Sequence, residues 1–144
     1  MTDDSESVGE GIASLAADML CLDMRFLASV VLSLKIEVAP GDGPPSCDGR
    51  TMLFREDRIV SDYRACRSLP ARQMAHSAFH LLLGHCGEQI SDSLSLAEDM
   101  VVEYVLDSLD TPHTSVPGRD DRMYSCESDK KLFLIFGCHG IDKW

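Results

Sequence analysis

The sequence predicts an α+β domain, and three features of the 144-residue chain lead to that prediction. Short runs with strand character cluster in its middle, between about residues 36 and 63. Longer stretches with the apolar spacing of helices lie on both sides of them. Apolar residues make up 44% of the chain, which is enough to fill one core without disulfide bonds. We therefore expect a single domain over residues 9–144, preceded by an acidic, disordered segment of residues 1–8.

The first element is predicted to be a long amphipathic helix from Ile12 to Leu34, because apolar residues recur there at the 3.6-residue period of a helix. A bend is expected near residues 21–23. Ile36–Val38 has the composition of a short strand. The segment Pro40–Pro45 is rich in proline and glycine, which disfavour both helix and strand, so a loop is expected to follow.

Two further runs, Thr51–Phe54 and Arg58–Tyr63, have strand character and are predicted to form a small hairpin, or a strand followed by a turn. The next helix is predicted to begin at Ser68–Pro70, since serine can cap a helix and proline is tolerated in the first turn. It should end near Gly84, because glycine readily adopts the left-handed conformation that closes many helices.

Another helix is predicted from about Ser95 to Leu109, where Ser95 and Glu98 fit a capping box. Four apolar residues at helical spacing are expected to form its buried stripe: Leu96, Val102, Leu106 and Leu109. A loop over residues 111–121 should follow. A last short helix or strand is predicted for Asp129–Phe136.

Charge and hydropathy exclude several classes of function. The net charge is −11 and the thirteen basic residues are scattered, which argues against nucleic acid or an anionic membrane as the main partner. No run approaches the roughly 20 apolar residues of a membrane span. The N-terminal residues are acidic, whereas those of a signal peptide are basic. We therefore expect a cytoplasmic protein whose partner is a protein or a peptide.

The six cysteines contain no CxxC pair, so neither a zinc ribbon nor a thioredoxin motif is predicted. Most are expected to be reduced and to behave as small hydrophobic residues. Cys86 directly follows His85, and it is therefore the one cysteine considered as a metal ligand.

The strongest functional signal is the pair His76 and His80. At about 100° per residue the two histidines differ by about 40° around a helix, so they can bind one metal ion together. In the HExxH motif of zinc peptidases, the glutamate after the first histidine is the general base toward the metal-bound water. Here that position is Ser77. The sequence therefore predicts zinc binding with impaired catalysis, although such a histidine pair can also be an ordinary part of a core.

Three further residues are candidates for this site. Asp99 falls within the apolar stripe of the following helix, where an ionised carboxylate is costly unless it is paired or binds a metal. Glu103, one turn later, is either a ligand, a partner of a ligand, or a rim residue paired with arginine or lysine. His85 lies about 140° from His80 and can join the site only if the helix breaks at Gly84; otherwise it is an exposed or capping residue.

These motifs resemble a zincin-like metallopeptidase domain that in bacterial proteins is often found ahead of a von Willebrand factor A-like domain. The pattern of that family is HExxHxxxxH, followed after a connector by a helix reading A-x-D-x-x-V-N or A-x-D-x-x-V-E. The resemblance covers about residues 45–109. It implies that His76 and His80 bind the metal, that His85 is the third histidine, and that Asp99 is the acidic site residue. Ser77 is the departure from the pattern.

Three functions therefore remain open. The first is a zinc-binding domain that acts as an interaction or regulatory module without proteolysis. The second is an active zinc hydrolase in which Glu103 or Glu98 replaces the missing base. The third is a metal-free, α-rich scaffold. Iron, manganese and nickel are alternatives to zinc. No von Willebrand-type domain follows in this sequence, so the domain either stands alone or belongs to a longer chain.

Overall fold

The computed structural model describes residues 6–85 and 92–117. Within these residues it is an α+β fold, as predicted, with five α-helices, a short 3-10 helix and a three-stranded sheet. The helices are α1 (Val8–Asp23), α2 (Ala28–Ser33), α3 (Glu56–Ala65), α4 (Leu69–Leu82) and α5 (Asp92–Leu109), and the 3-10 helix is Arg25–Leu27. The strands are β1 (Lys35–Ala39), β2 (Ser46–Cys47) and β3 (Thr51–Arg55).

The first helix begins earlier than predicted. Ser7 and Glu10 form a capping box, in which the Ser7 hydroxyl accepts from the Glu10 amide and the Glu10 carboxylate accepts from the Ser7 amide. The Glu56 carboxylate also accepts from the Gly9 amide at 2.9 Å. The expectation of disorder over residues 1–8 is therefore wrong at Ser7 and Val8. Residues 1–5 lie outside the described residues.

The predicted long helix over 12–34 is wrong as a single element, although the expected bend is confirmed. α1 ends at Asp23, Met24 takes non-helical dihedral angles, and a 3-10 turn leads into α2. The buried positions Leu20, Met24, Leu27 and Val31 nevertheless keep three- and four-residue spacing across the break. The apolar pattern of the sequence therefore continues where the backbone hydrogen bonding does not.

The third predicted strand, Arg58–Tyr63, is also wrong, because this segment belongs to α3. Glu56 and Asp57 lie in the first turn of α3, where negative charge stabilises a helix. Arg58 and Asp62 form an ion pair one turn apart at 3.0 Å. Ile59 and Asp62 are the residues of this helix that are buried. Helical packing therefore outweighs the strand propensity of the segment.

The sheet has the order β1-β3-β2, with β1 parallel and β2 antiparallel to the central strand. The tight turn before β3 is closed by Asp48, whose carboxylate accepts from the amides of Arg50 and Thr51 at 2.8 and 2.7 Å. The antiparallel pair of the fold is therefore β2 with β3, rather than the predicted hairpin after β3.

α4 lies at the centre of the fold, with α1 and α5 as its main helical neighbours. Pro70 occupies its first turn, and Gly84 just beyond its end has a φ of +72°, so both predicted boundaries of the helix are confirmed. Ser68 precedes the helix but makes no capping hydrogen bond through its side chain. Every residue from Pro70 to His80 is buried. α4 therefore contributes apolar residues to the core and polar residues to the candidate site.

α5 begins at Asp92, so Ser95 lies inside the helix and the predicted capping box is wrong. Val102 and Leu106 belong to the core, whereas Leu109 is 40% exposed and does not. The predicted element Asp129–Phe136 and Cys86 lie outside the described residues. Cys21, Cys47 and Cys66 are free thiols. Within the described ranges, no helix combines the length and apolarity that a membrane span needs.

Candidate metal centre

A nine-residue stretch of α4 contains five buried polar side chains. They are Arg72, Gln73, His76, Ser77 and His80. Burying a polar group without a hydrogen-bond partner costs on the order of 1–3 kcal/mol, and more for a charged group. The partners that α5 and α3 supply to these side chains therefore determine what the site can do.

Three of the predicted site residues converge at one point. The Nε2 atoms of His76 and His80 lie 3.0 Å apart, and Oδ1 of Asp99 lies 3.1 Å from the first and 2.8 Å from the second. Ligands of one tetrahedral zinc ion lie about 3.3 Å apart when each bond is about 2.0–2.1 Å. All three residues are buried. This group can therefore hold a metal ion.

Glu103 supports His76 from the opposite edge of the imidazole ring. Nδ1 of His76 lies 2.6 Å from Oε1 of Glu103, and because a carboxylate only accepts, the proton must be on Nδ1. Nε2 is then the atom directed at His80 and Asp99. Glu103 is 0% exposed, so the predicted rim position is wrong, whereas the pairing with an arginine that was predicted with it is confirmed. The structure places Glu103 behind a candidate ligand, outside the converging group.

Arg72 in turn holds Glu103. Its Nη2 and Nε donate to Oε2 of Glu103 at 2.5 and 3.1 Å, its Nη2 also donates to Asp107 at 2.6 Å, and its Nη1 donates to the Thr114 carbonyl at 2.9 Å. The guanidinium is fully buried, and its planar fork suits such multiple contacts. Sequence reasoning missed Arg72. Its spacing was the available signal, since it lies one helical turn before His76.

The two helices together form a polar ladder, by which we mean Arg72, His76 and His80 on α4 and Asp99, Glu103 and Asp107 on α5. Both rows have four-residue spacing, so each lies along one face of its helix. The two rows are antiparallel, so the start of one faces the end of the other. Arg72 contacts Glu103 and Asp107, His76 contacts Glu103 and Asp99, and His80 contacts Asp99. The ladder therefore fixes how α4 and α5 align.

The carboxylates of the ladder determine the charge of the two histidines. Burial lowers the pKa of His76, but the hydrogen bonds and charges of Asp99 and Glu103 outweigh it and raise that pKa to about 9. Burial lowers the pKa of His80, and the neighbouring His76 lowers it further against the effect of Asp99. Burial raises the pKa of Asp99, but both histidines oppose it and bring that pKa to about 2. Without a metal, His76 therefore holds a second proton at neutral pH and is positively charged between the two carboxylates.

Ser77 takes no part in the converging group. Its hydroxyl donates to the backbone carbonyl of Gln73 at 3.1 Å, one turn earlier in the same helix. Gln73 itself donates to Asp62 of α3 at 2.9 Å, and its Oε1 has no hydrogen-bond partner among the described residues. The position that holds the general base in HExxH motifs is thus occupied by a hydroxyl engaged with its own helix.

The helix breaks at Gly84, which is the condition under which His85 was expected to be able to approach the site. The His85 amide donates to the carbonyl of His80 at 2.9 Å, and Nδ1 of His85 lies 3.1 Å from Nδ1 of His80. His85 therefore contacts the far edge of the His80 ring. Together with His80 and Glu98 it forms a second group of possible ligands, and both His85 and Glu98 are partly exposed.

Comparisons of this chain with protein-family models, with curated proteins and with solved structures find no match. The function is therefore inferred from the residues of this chain and from the geometry of the site.

Proposed function

We propose that the protein binds one divalent metal ion, preferably zinc, through His76, His80 and Asp99, in a zincin-like domain without efficient peptidase activity. One observation carries this proposal: three buried donor atoms of types that zinc prefers approach one another to within 2.8–3.1 Å.

The surroundings of His76 support the proposal. Histidines that bind metals usually donate their second ring N–H to a carboxylate, which orients the ring and increases its basicity as a ligand. Glu103 accepts such a bond from Nδ1 of His76, and Arg72 holds Glu103 in place.

The charges within the polar ladder also favour a cation. One guanidinium, that of Arg72, stands against the three carboxylates of Asp99, Glu103 and Asp107, which leaves two negative charges when both histidines are neutral. A divalent ion would balance these two charges. In its absence the proton on His76 balances one of them.

The donor set favours zinc over the hard cations. Calcium and magnesium are usually held by oxygen ligands, whereas two imidazoles and one carboxylate suit zinc and the neighbouring transition metals. Three protein ligands also leave a fourth coordination position for water or for a partner's side chain. A site of this kind can bind a protein or peptide ligand through the metal.

Efficient peptide hydrolysis is not expected. General-base catalysis contributes roughly 10²–10⁴-fold to rate, and Ser77 is a hydroxyl bound to its own backbone. Glu103, considered as a replacement base, accepts from Nδ1 of His76 and from Arg72 on the side of the ring that faces away from Asp99. We therefore favour an interaction or regulatory role over hydrolysis.

Native mass spectrometry of tag-free protein tests the proposal. We expect one zinc ion per chain in the unaltered protein, loss of that ion in His80→Ala, and retention in His113→Ala, a histidine that pairs with Asp23 away from the site. The zinc-loaded protein should show no chelator-sensitive cleavage of casein. If the protein binds no zinc, nickel, manganese or iron, the proposal is wrong and the metal-free scaffold is correct.

A further inference from the structure

A second group of donor atoms lies on the outer side of His80. Nδ1 of His80 is 3.1 Å from Nδ1 of His85. His80, His85 and Glu98 each offer one possible ligand atom to a group whose atoms all lie within 4.8 Å of one another. His80 is buried, whereas His85 and Glu98 are partly exposed. His80 therefore belongs to both groups: its Nε2 faces His76 and Asp99 in the buried group, and its Nδ1 faces His85 in the partly exposed group.

We propose that His80, His85 and Glu98 form an outer, transient position for the same divalent ion, through which the ion reaches the inner group of His76, His80 and Asp99. The proposal depends on the metal-binding function proposed above. It assigns to His85 and Glu98 a role in loading the ion, distinct from that of holding it.

The need for such a position follows from burial. The inner group is almost fully buried, with exposures of 7% for His76, 3% for His80 and 7% for Asp99. A hydrated ion must lose its water before it can enter, and ligands that replace the water stepwise make this loss easier. Glu98 directly precedes Asp99 on α5 and brings a negative charge to the solvent-facing side, where it can attract a cation.

The chemistry of His80 makes the two positions mutually exclusive. A neutral imidazole has one N–H and one lone pair, so it binds an ion through only one nitrogen at a time. With the ion in the outer position, Nδ1 of His80 binds it and Nε2–H donates to Asp99. With the ion in the inner position, Nε2 binds it, having released its proton to water, and Nδ1 takes up one proton and donates it to His85. The proton count of the ring is unchanged, and each chain holds one ion.

The alternative role for His85 is that of a simple hydrogen-bond partner that orients His80. Removing such a partner of a ligand lowers metal affinity by about 10–100-fold. Removing a residue that acts only on the path slows loading and release by the same factor and leaves the equilibrium dissociation constant unchanged. The two roles are therefore separable by measuring rates and affinity together.

The experiment uses the full chain and Co²⁺, whose absorption reports binding, in a stopped-flow instrument. The test variants are Glu98→Gln, which keeps the shape of the side chain, and His85→Asn, which keeps a hydrogen-bond acceptor. The control is Glu37→Gln, which removes an equal charge from β1, outside both groups. Circular dichroism checks that each variant is folded.

We expect Glu98→Gln and His85→Asn to load and release Co²⁺ about tenfold more slowly, with a dissociation constant within about threefold of the unaltered protein. The control should match the unaltered protein. Weaker affinity at an unchanged loading rate, unchanged rates in both variants, or two ions per chain would each overturn the loading role. A protein that binds one ion at the same rate in every variant refutes only this inference. A protein that binds none refutes the proposed function itself.

Discussion

α1 and α4 are neighbouring helices of similar length that are buried in different ways. α1 turns one stripe of small and apolar residues to the core, and Leu22 on its other side is 71% exposed. α4 is buried on all sides over Pro70–His80, and nearly half of these residues are polar. The difference indicates that α1 contributes stability through packing, whereas α4 holds polar groups in a fixed arrangement at an energetic cost that its partners offset.

The largest expected loss of stability in the polar arrangement of α4 is at Arg72. Arg72→Ala leaves the fully buried carboxylate of Glu103 without its guanidinium, which typically costs about 3–5 kcal/mol. Urea unfolding of the metal-free protein measures the loss. Arg64→Ala, at an exposed position of α3, is the matched control and should cost less than about 0.5 kcal/mol. A loss at Arg72 as small as that of the control would show that the ladder is not coupled to folding.

A core substitution on α1 should destabilise the fold without acting on the site. Leu20→Ala removes a fully buried side chain and should cost about 2–5 kcal/mol, because it leaves a cavity in the core. Leu22→Ala on the exposed side of the same helix should cost less than about 0.5 kcal/mol. The zinc affinity of both folded variants should equal that of the unaltered protein, as measured by competition with a chelating dye. A weaker affinity in Leu20→Ala would mean that α1 also positions the ligands.

Metal binding should depend on pH through the proton that His76 holds. The pKa of His76 is about 9 in the metal-free protein, above the ordinary 6.5, so zinc must displace this proton at neutral pH. The apparent affinity should rise up to about tenfold per pH unit from pH 6.5 and level off near pH 9. Calorimetry in buffers of different ionisation enthalpy should show about one proton released per ion at pH 7.5. Release of none would contradict the charge assignment.

On the pH dependence of zinc binding, Glu103→Gln gives a small and specific effect. It keeps the shape of the side chain but removes one of the two carboxylate charges that raise the pKa of His76. The pH at which zinc affinity levels off should therefore fall. Asp107→Asn, which contacts Arg72, is the matched control and should leave that pH close to the unaltered value. Equal shifts in the two variants would show that the effect is one of general charge and not of the Glu103 contact with His76.

The parts of the fold and site that the sequence predicted are those set by local spacing. The α+β class, the end of α4 near Gly84, and the shared face of His76 and His80 all follow from helical periodicity and glycine chemistry. Asp99 was predicted because a carboxylate within an apolar stripe is costly, a conclusion that needs only one helix.

The parts that were missed depend on contacts between elements. The strand character of Arg58–Tyr63 was overridden by helical packing of Ile59 and by the charges of its first turn. Arg72 was missed because its partners, Glu103 and the Thr114 carbonyl, are more than thirty residues away in the sequence. The end of α1 before Met24 was not predicted, because the apolar spacing of the sequence continues through the break.

X-ray absorption spectroscopy of the zinc-loaded protein tests the proposed metal centre most directly, because it reports the atoms bound to the ion. We predict nitrogen and oxygen ligands only, at about 2.0–2.2 Å, with the outer-shell scattering of two imidazoles. In Asp99→Asn the zinc should be lost or bound at least tenfold more weakly. A sulfur ligand at about 2.3 Å, or a spectrum and affinity that Asp99→Asn leaves unchanged, would contradict the assignment of His76, His80 and Asp99 as the metal ligands.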